Sequence, residues 1–255
     1  MSVPLVTAVI PCHNHRLWVN DAVDSIARQD YPAKRIVVVD DGSKDDSFDV
    51  VARRLYKPRP LGNDGRGVVG KLLNTMVDIM VIRHEVAKGP SAARNFGMRA
   101  GWENTSVFAF LDSDDLYEPG KISRSMTKFV DAPDHIGVVY SDFDTLNPSG
   151  LRIRQYKPGF SRELLLRECI VNCDSLVSRK AIEAVGGFDE ELRVAEDYDL
   201  WLRISEKFVI SHLAEPLVVV RVGEHSSTST VAKKTWEACW ARVMQKVRER
   251  ATVGQ

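Results

Sequence analysis

The stretch Phe108-Ala-Phe-Leu-Asp112-Ser-Asp114-Asp115-Leu-Tyr117 decides how this chain folds. Residues 108–111 are continuously apolar, the pattern of a strand covered on both faces. Three aspartates then follow within four residues. Ligands of open α/β sheets sit at strand exits, where the backbone leaves the sheet and side chains face a crevice. Three like charges held together repel unless something positive shares their space. Mg2+ and Mn2+ prefer carboxylate oxygens, and Mg2+ keeps water and phosphate in most of its positions. Asp112-Ser113-Asp114 therefore suggests a cation joining protein to a diphosphate. The same residues also make good turn and helix-cap chemistry, so the triplet alone leaves both readings open.

Working outward, residues 5–10 form an apolar, β-branched run ended by Pro11, a buried parallel strand with Cys12-His13-Asn14 as its exit loop. Leu17, Val19, Ala22, Val23, Ile26 and Ala27 recur at helical spacing, and Tyr31-Pro32 ends that helix. Residues 35–39 are a second buried strand, closed by Asp40-Asp41-Gly42-Ser43. Ser43 reads as the N-cap of the next helix, whose first turn carries Asp45 and Asp46. The opening is thus strand, helix, strand, helix. Lys57-Pro-Arg-Pro and residues 62–67 read as an exposed loop, or alternatively a hairpin with its turn at Asp64-Gly65, and residues 68–76 as a strand or short helix. Residues 79–83 are strand-like. Pro90 opens a helix that Gly101 closes.

Beyond the acidic cluster, residues 136–140 are a strand and 141–156 a hairpin with its tip at Asn147-Pro-Ser-Gly150. Short helices are expected at 163–168 and 179–185, a short strand at 175–178, a longer helix at 196–207 and a strand at 217–220. Residues 233–250 are amphipathic, with Trp236, Trp240, Val243 and Val247 on the face expected to pack on the body.

The totals bound the class. The chain has 255 residues, 44% of them hydrophobic, enough for one large α/β domain. Lys plus Arg equals Asp plus Glu at 35 each, so bulk charge does not point to nucleic acid. Four cysteines are scattered without zinc-site spacing and read as reduced thiols of a cytoplasmic protein. No signal peptide pattern and no run of the roughly 20 apolar residues that cross a bilayer appears, which leaves peripheral membrane association as the one membrane mode.

Five stretches then stand in order: Val6-Thr-Ala-Val-Ile-Pro-Cys-His-Asn14, Val39-Asp-Asp-Gly-Ser43, Gly89-Pro-Ser-Ala-Ala-Arg94-Asn-Phe-Gly97, Leu111-Asp-Ser-Asp-Asp115, and Gly186-Gly-Phe-Asp-Glu190 followed by Ala195-Glu-Asp197-Tyr-Asp-Leu-Trp-Leu-Arg203. Together they resemble the family 2 glycosyltransferases, from residue 5 to about residue 229. The resemblance implies the GT-A fold: an α/β chain with a Rossmann-like, mainly parallel central sheet flanked by helices and a smaller acceptor-side subregion. It implies one domain over residues 1–230, with a nucleotide-binding half to about 117 and an acceptor-binding half from 118, then an amphipathic helix and tail over 231–255.

The resemblance also implies a reaction. A sugar would pass, with inversion, from a nucleoside diphosphate sugar (a UDP-sugar before others) to an acceptor hydroxyl, helped by Mn2+ or Mg2+. The acceptor class stays open between glycan, lipid-linked sugar, protein and small molecule, no nucleic acid is expected, and a homo-oligomer is allowed. Pro11 and Asn14 match positions lining the nucleoside pocket. Asp41 matches a carboxylate that accepts from the uracil N–H, and Arg94 an arginine near base and diphosphate. Asp112 and Asp114 match the D-x-D pair, the first toward ribose and metal, the second on metal, with Ser113 near ribose and Asp115 behind them. Asp197 matches the catalytic base and Glu196 is the fallback. Arg221 and His225 resemble an Arg-x-x-x-His pair, for diphosphate and for metal or phosphate, and residues 223–230 a lid.

Two departures stand out. Residues 57–78 are longer than the usual family link and read as an insertion touching acceptor or partner. The short tail argues against a processive polysaccharide synthase. The competing reading is a nucleotide-sugar binding scaffold without catalysis, which predicts loss of base or metal pair; both are present. A Rossmann dehydrogenase would need Gly-x-Gly-x-x-Gly where Pro-Cys-His-Asn stands.

Overall fold

A computed structural model describes residues 3–62, 64–223 and 233–253. The core is parallel. Strand β1 (Leu5–Cys12) lies between β2 (Lys34–Asp41) and β6 (Thr105–Phe110), and β5 (Asp78–His84) continues the set beyond β2. Val6, Ala8, Val9 and Ile10 are fully buried, as a strand covered on both faces requires. Helices α1 (Val19–Ala27), α2 (Ser47–Ala52) and α3 (Pro90–Ala100) make the crossovers. Gly97 lets α3 lie directly on the sheet: a Cβ there would sit 2.5 Å from Val9 Cγ1.

The second half adds β7 (Leu116–Tyr117), α4 (Lys121–Asp131), β8 (Ile136–Leu146), β9 (Arg152–Gln155), α5 (Arg162–Leu165), β10 (Leu176–Ser178), α6 (Arg179–Val185), α7 (Glu196–Ser205), β11 (Val209–Arg221) and α8 (Lys233–Val253). With β3 (Leu55–Pro60) and β4 (Gly67–Leu72), the described strands form one eleven-stranded sheet in the order β3-β4-β5-β2-β1-β6-β10-β8-β11-β7, with β9 on β8. The chain runs from β1 to β2 on one side and returns to β6 on the other. That reversal opens a crevice where β1 and β6 end, the expected place for a ligand.

Two expectations change and one helix is added. Lys57-Pro-Arg-Pro is not a loop but most of β3, an outermost strand where proline is tolerated because no neighbour needs its N–H. The long link is therefore a β-hairpin that widens the sheet. Ser43 does not cap α2, which starts four residues later; its hydroxyl accepts from Asn14 N–H at 2.9 Å instead. Helix α4 was not anticipated, although Ile122, Met126 and Phe129 mark its buried face. Helix α8 packs on the body through Trp236, Trp240, Val243, Met244 and Val247, as its pattern suggested.

Candidate active site

The exits of β1 and β2 are tied together first. Asn14 holds a left-handed backbone at φ 57° and its Oδ1 accepts from Lys44 N–H at 2.8 Å. Pro11, one residue from the end of β1, pairs with Val39 and is half-buried. Asp41 ends β2 and its buried carboxylate accepts from Lys88 N–H at 2.9 Å, Gly89 N–H at 2.7 Å and His84 Nδ1 at 2.6 Å. These bonds anchor the start of α3. Lys88 N–H also reaches the second oxygen at 3.1 Å, so these three donors occupy most of the roughly four acceptor positions of the carboxylate. Asp40 is structural, holding Arg83 at 3.1 Å.

The acidic cluster forms where β6 ends. Carboxylate oxygens of Asp112, Asp115 and Asp174 lie within 4.8 Å of one another. Asp174 also accepts from Asp112 N–H at 3.1 Å. Burial, then the charge of Asp112, pushes Asp174 up to about 7. Burial, then Asp174, raises Asp115 well above the carboxylate range, and burial, then Asp112, raises Asp114. Burial and mutual repulsion outweigh the cations nearby, Arg94 and Lys121 beside Asp174 and His15 and Arg221 beside Asp114. Asp114 stands apart from the three-carboxylate group, 3.9 Å from His15 Nδ1, and buried Ser113 hydrogen-bonds the same nitrogen at 2.7 Å. Lys121, fully buried on α4, donates to Ser141 Oγ at 2.8 Å; burial lowers it to about 7, while Asp174 pulls the other way.

Arg94 connects this cluster to the far side of the crevice. Its buried guanidinium donates to Asp112 at 2.6 Å and to Glu196 at 2.7 Å. Its Nε is buried without a hydrogen-bond partner among the described residues. Glu196 opens α7 and is ion-paired with Arg94. Asp197, the next residue, accepts only from the adjacent Tyr198 N–H at 2.7 Å among the hydrogen bonds of the described residues. Burial, then Glu196, pushes Asp197 up to about 7, with Arg94 opposing. The helix is entered through Ala195 in the left-handed region at φ 59°, which costs a non-glycine residue on the order of 1 kcal/mol. Such strain persists only where packing over-determines it, and it gathers at functional sites.

Arg221 braces the acidic loop from behind. Its N–H donates to Asp115 at 2.8 Å, and its guanidinium to Asp114 O at 3.0 Å and to Asp21 at 2.8 Å. His225 and most of the expected lid, residues 224–230, lie outside the described residues. The structure thus gathers Asp112, Arg94 and Glu196 by direct bonds, with Asp197 beside Glu196. Asp114 and Arg221 sit on the cluster's flank, and Asn14 and Asp41 at the neighbouring strand exits.

Sequence reasoning missed Asp174 and Lys121, and set His15 aside as an ordinary loop residue. Asp174 stands alone ahead of a three-residue strand, so only the pairing of β10 with β6 reveals it. His15 had a weak signal, its place at the exit of β1.

A parallel sheet with a crevice at its switch point, acids at the strand exits and an acid-led helix opposite defines a GT-A glycosyltransferase domain. Residues 7–186 match the model for glycosyl transferase family 2, and the chain belongs to that family. The match ends before α7, so Asp197, Arg221 and His225 lie beyond it. An uncharacterized glycosyltransferase of Rickettsia felis is 28% identical over 210 residues, covering 79% of this chain and 31% of that protein. The chain therefore spans about a third of that relative. S. aureus TarS, solved with UDP-GlcNAc, superposes with a TM-score of 0.70 at 18% identity, covering 95% of this chain and 65% of that one. The mannosyltransferase PcManGT from Pyrobaculum calidifontis, solved with GDP-Man and Mn2+, gives a TM-score of 0.66 at 17% identity, covering 98% and 64%. Both structural likenesses speak to fold. No helix of the described residues is long and apolar enough to cross a membrane.

Proposed function

We propose that this domain transfers a sugar, with inversion, from a UDP-sugar to an acceptor hydroxyl, with Asp197 as general base. The observation that carries the reading is the Arg94 bridge, which joins the acid cluster at β6 to the acid pair opening α7. The bridge also separates the two acids. Glu196 is held as the partner of a buried cation, while Asp197 keeps a carboxylate poised near neutrality, the condition for efficient proton abstraction. Asp197 takes the acceptor proton on the face opposite the leaving diphosphate, as inverting displacement requires. Asp41, Asn14 and Pro11 contribute the nucleoside side of the pocket, and Arg94 and Arg221 its phosphate side.

The residues fit a divalent cation. Asp112, Asp115 and Asp174 offer an all-oxygen donor set, and the raised pKa values of Asp115 and Asp174, caused by burial and by their acidic neighbours, are what Mg2+ or Mn2+ would relieve. Asp114 and His225 complete the implied set. A bound cation would offset charge on the departing diphosphate. Four free thiols among the described residues support a reducing, cytoplasmic setting.

The experiment that tests the reading is thermal shift with UDP, GDP and NAD, with and without Mn2+, followed by donor cleavage. Stabilisation by UDP only with Mn2+ is expected. Asp174→Asn is expected to weaken Mn2+ binding by roughly 10–100-fold or more; unchanged Mn2+ titration would remove Asp174 from the set. Stabilisation by NAD alone would overturn the nucleotide-sugar reading. Binding without cleavage of any UDP-sugar would favour the scaffold reading.

The pH dependence has a definite sign. Asp197 works as a carboxylate, so kcat should rise with pH through about 7 and fall away as the group protonates below it. A rate already at its plateau at pH 5 would count against Asp197 as base.

A further inference from the structure

Helix α8 lies outside the stretch that matches the family, yet it packs directly against the residue that follows the base. Trp240 stacks on Tyr198 with ring centroids 4.5 Å apart and planes 11° from parallel. Tyr198 is buried, donates from its hydroxyl to Leu165 O at 2.7 Å, and lies 4.0 Å from Met244 Sδ of the same helix. Two turns of α8 also grip the loop leading into α7. Arg242 pairs with Glu191 and Lys246 with Asp189, and Arg250 reaches Glu206 just past the far end of α7 at 2.9 Å. That loop ends at Ala195, in its left-handed conformation, and α7 has no side-chain cap to compensate.

We propose that α8 is a brace for the catalytic base, with Trp240 as a positioning residue that holds Tyr198, and through it Asp197, in place. The proposal rests on the reading of Asp197 as base. A strained entry into a helix keeps one geometry only if packing allows no other. Here the packing comes from two directions: the ring stack fixes the first turn of α7, and the ion pairs fix the loop before Ala195. The groups that act electrostatically on Asp197 come from elsewhere: Glu196 on its own helix, Arg94 on α3, Asp112 after β6, and Cys169 and Cys173 between α5 and β10. The described charges of α8 instead reach Asp189, Glu191 and Glu206. The effect of α8 on Asp197 is therefore one of position and water exclusion rather than of charge.

The test follows the carboxyl carbon of Asp197 by NMR in the full chain labelled with 13C-aspartate, the resonance being assigned by its loss in Asp197→Asn. Trp240→Leu keeps apolar volume but removes the stacking face. Loosening the first turn admits water, and the midpoint is expected to drop by about one pH unit toward the ordinary carboxylate value. Trp240→Phe, which restores a ring over Tyr198, should return it. Lys246→Met, a milder change on the same helix, should shift it in the same direction by less, and carries the test if Trp240→Leu does not fold. UDP with Mn2+ should still raise the melting temperature of each folded variant. In UDP release from a panel of UDP-hexoses, kcat should fall about tenfold in Trp240→Leu with KM little changed. An unchanged midpoint in the folded variants would overturn the brace. Full turnover by Asp197→Asn would instead overturn the base, leaving the midpoint to report separately on whether α8 holds Asp197.

Discussion

Asp197→Asn is expected to lower sugar transfer by about 10²–10⁴-fold, the usual worth of a positioned general base. The amide is nearly the same size and cannot accept the acceptor proton. Donor binding should survive, because the contacts assigned to the nucleotide come from the strand exits and from Arg94 on α3, not from α7. The comparison is kcat for transfer against the midpoint of a UDP–Mn2+ titration. A variant with lost transfer and an unmoved titration fits the assignment. A variant that transfers at the parent rate removes Asp197 from the role and leaves the Glu196 alternative to be tested. That alternative begins at a disadvantage, because Glu196 is committed to Arg94 at 2.7 Å.

Arg94→Met should be the most damaging single change to folding. It strips the shared partner from Glu196 and Asp112 and leaves two carboxylates facing an apolar chain. Breaking a buried pair costs about 3–5 kcal/mol. The lower end applies, since the Asp112 side chain is 37% exposed and water screens it. The midpoint of urea unfolding reads the loss. Arg94→Lys is the informative control: it keeps the charge, but an ammonium lacks the planar fork that reaches both acids at once. If Lys restores stability without restoring transfer, the fork matters for geometry more than for charge. Full stability in Arg94→Met would show that the bridge is not a structural link.

The parallel core was legible because its strands are continuous apolar runs, each ended by a polar exit. The exits were legible because each apolar run stops at polar residues, so Asp41, Asp112 and Asn14 could be placed at strand ends without coordinates. Asp174 could not, since a lone aspartate before Leu176 has no local signature. It reaches Asp112 only because β10 inserts antiparallel between β6 and β8. Lys121 follows a glycine turn and looks like a solvated lysine, yet topology encloses it. The resemblance put Asp197 ahead of Glu196 without a physical difference between these neighbours of one chemical kind; the reach of Arg94 from α3 to Glu196 supplies one. Prolines misled in the other direction. At Pro58 and Pro60 they mimic a loop, while a strand with no outer neighbour can carry them.

That last feature bears on how copies of this chain meet. The outermost strand on one side, β3, carries two residues with no amide hydrogen, and the outermost on the other, β7, is only two residues long. A growing ribbon needs a straight row of donors and acceptors, and neither rim presents one. Joining two sheets end to end through these rims is thereby disfavoured, so crowded molecules are steered away from fibre formation. Pairing of subunits that avoids these two rims is left to side chains on a face, or to the short free edge of β9, which among the described strands pairs only with β8.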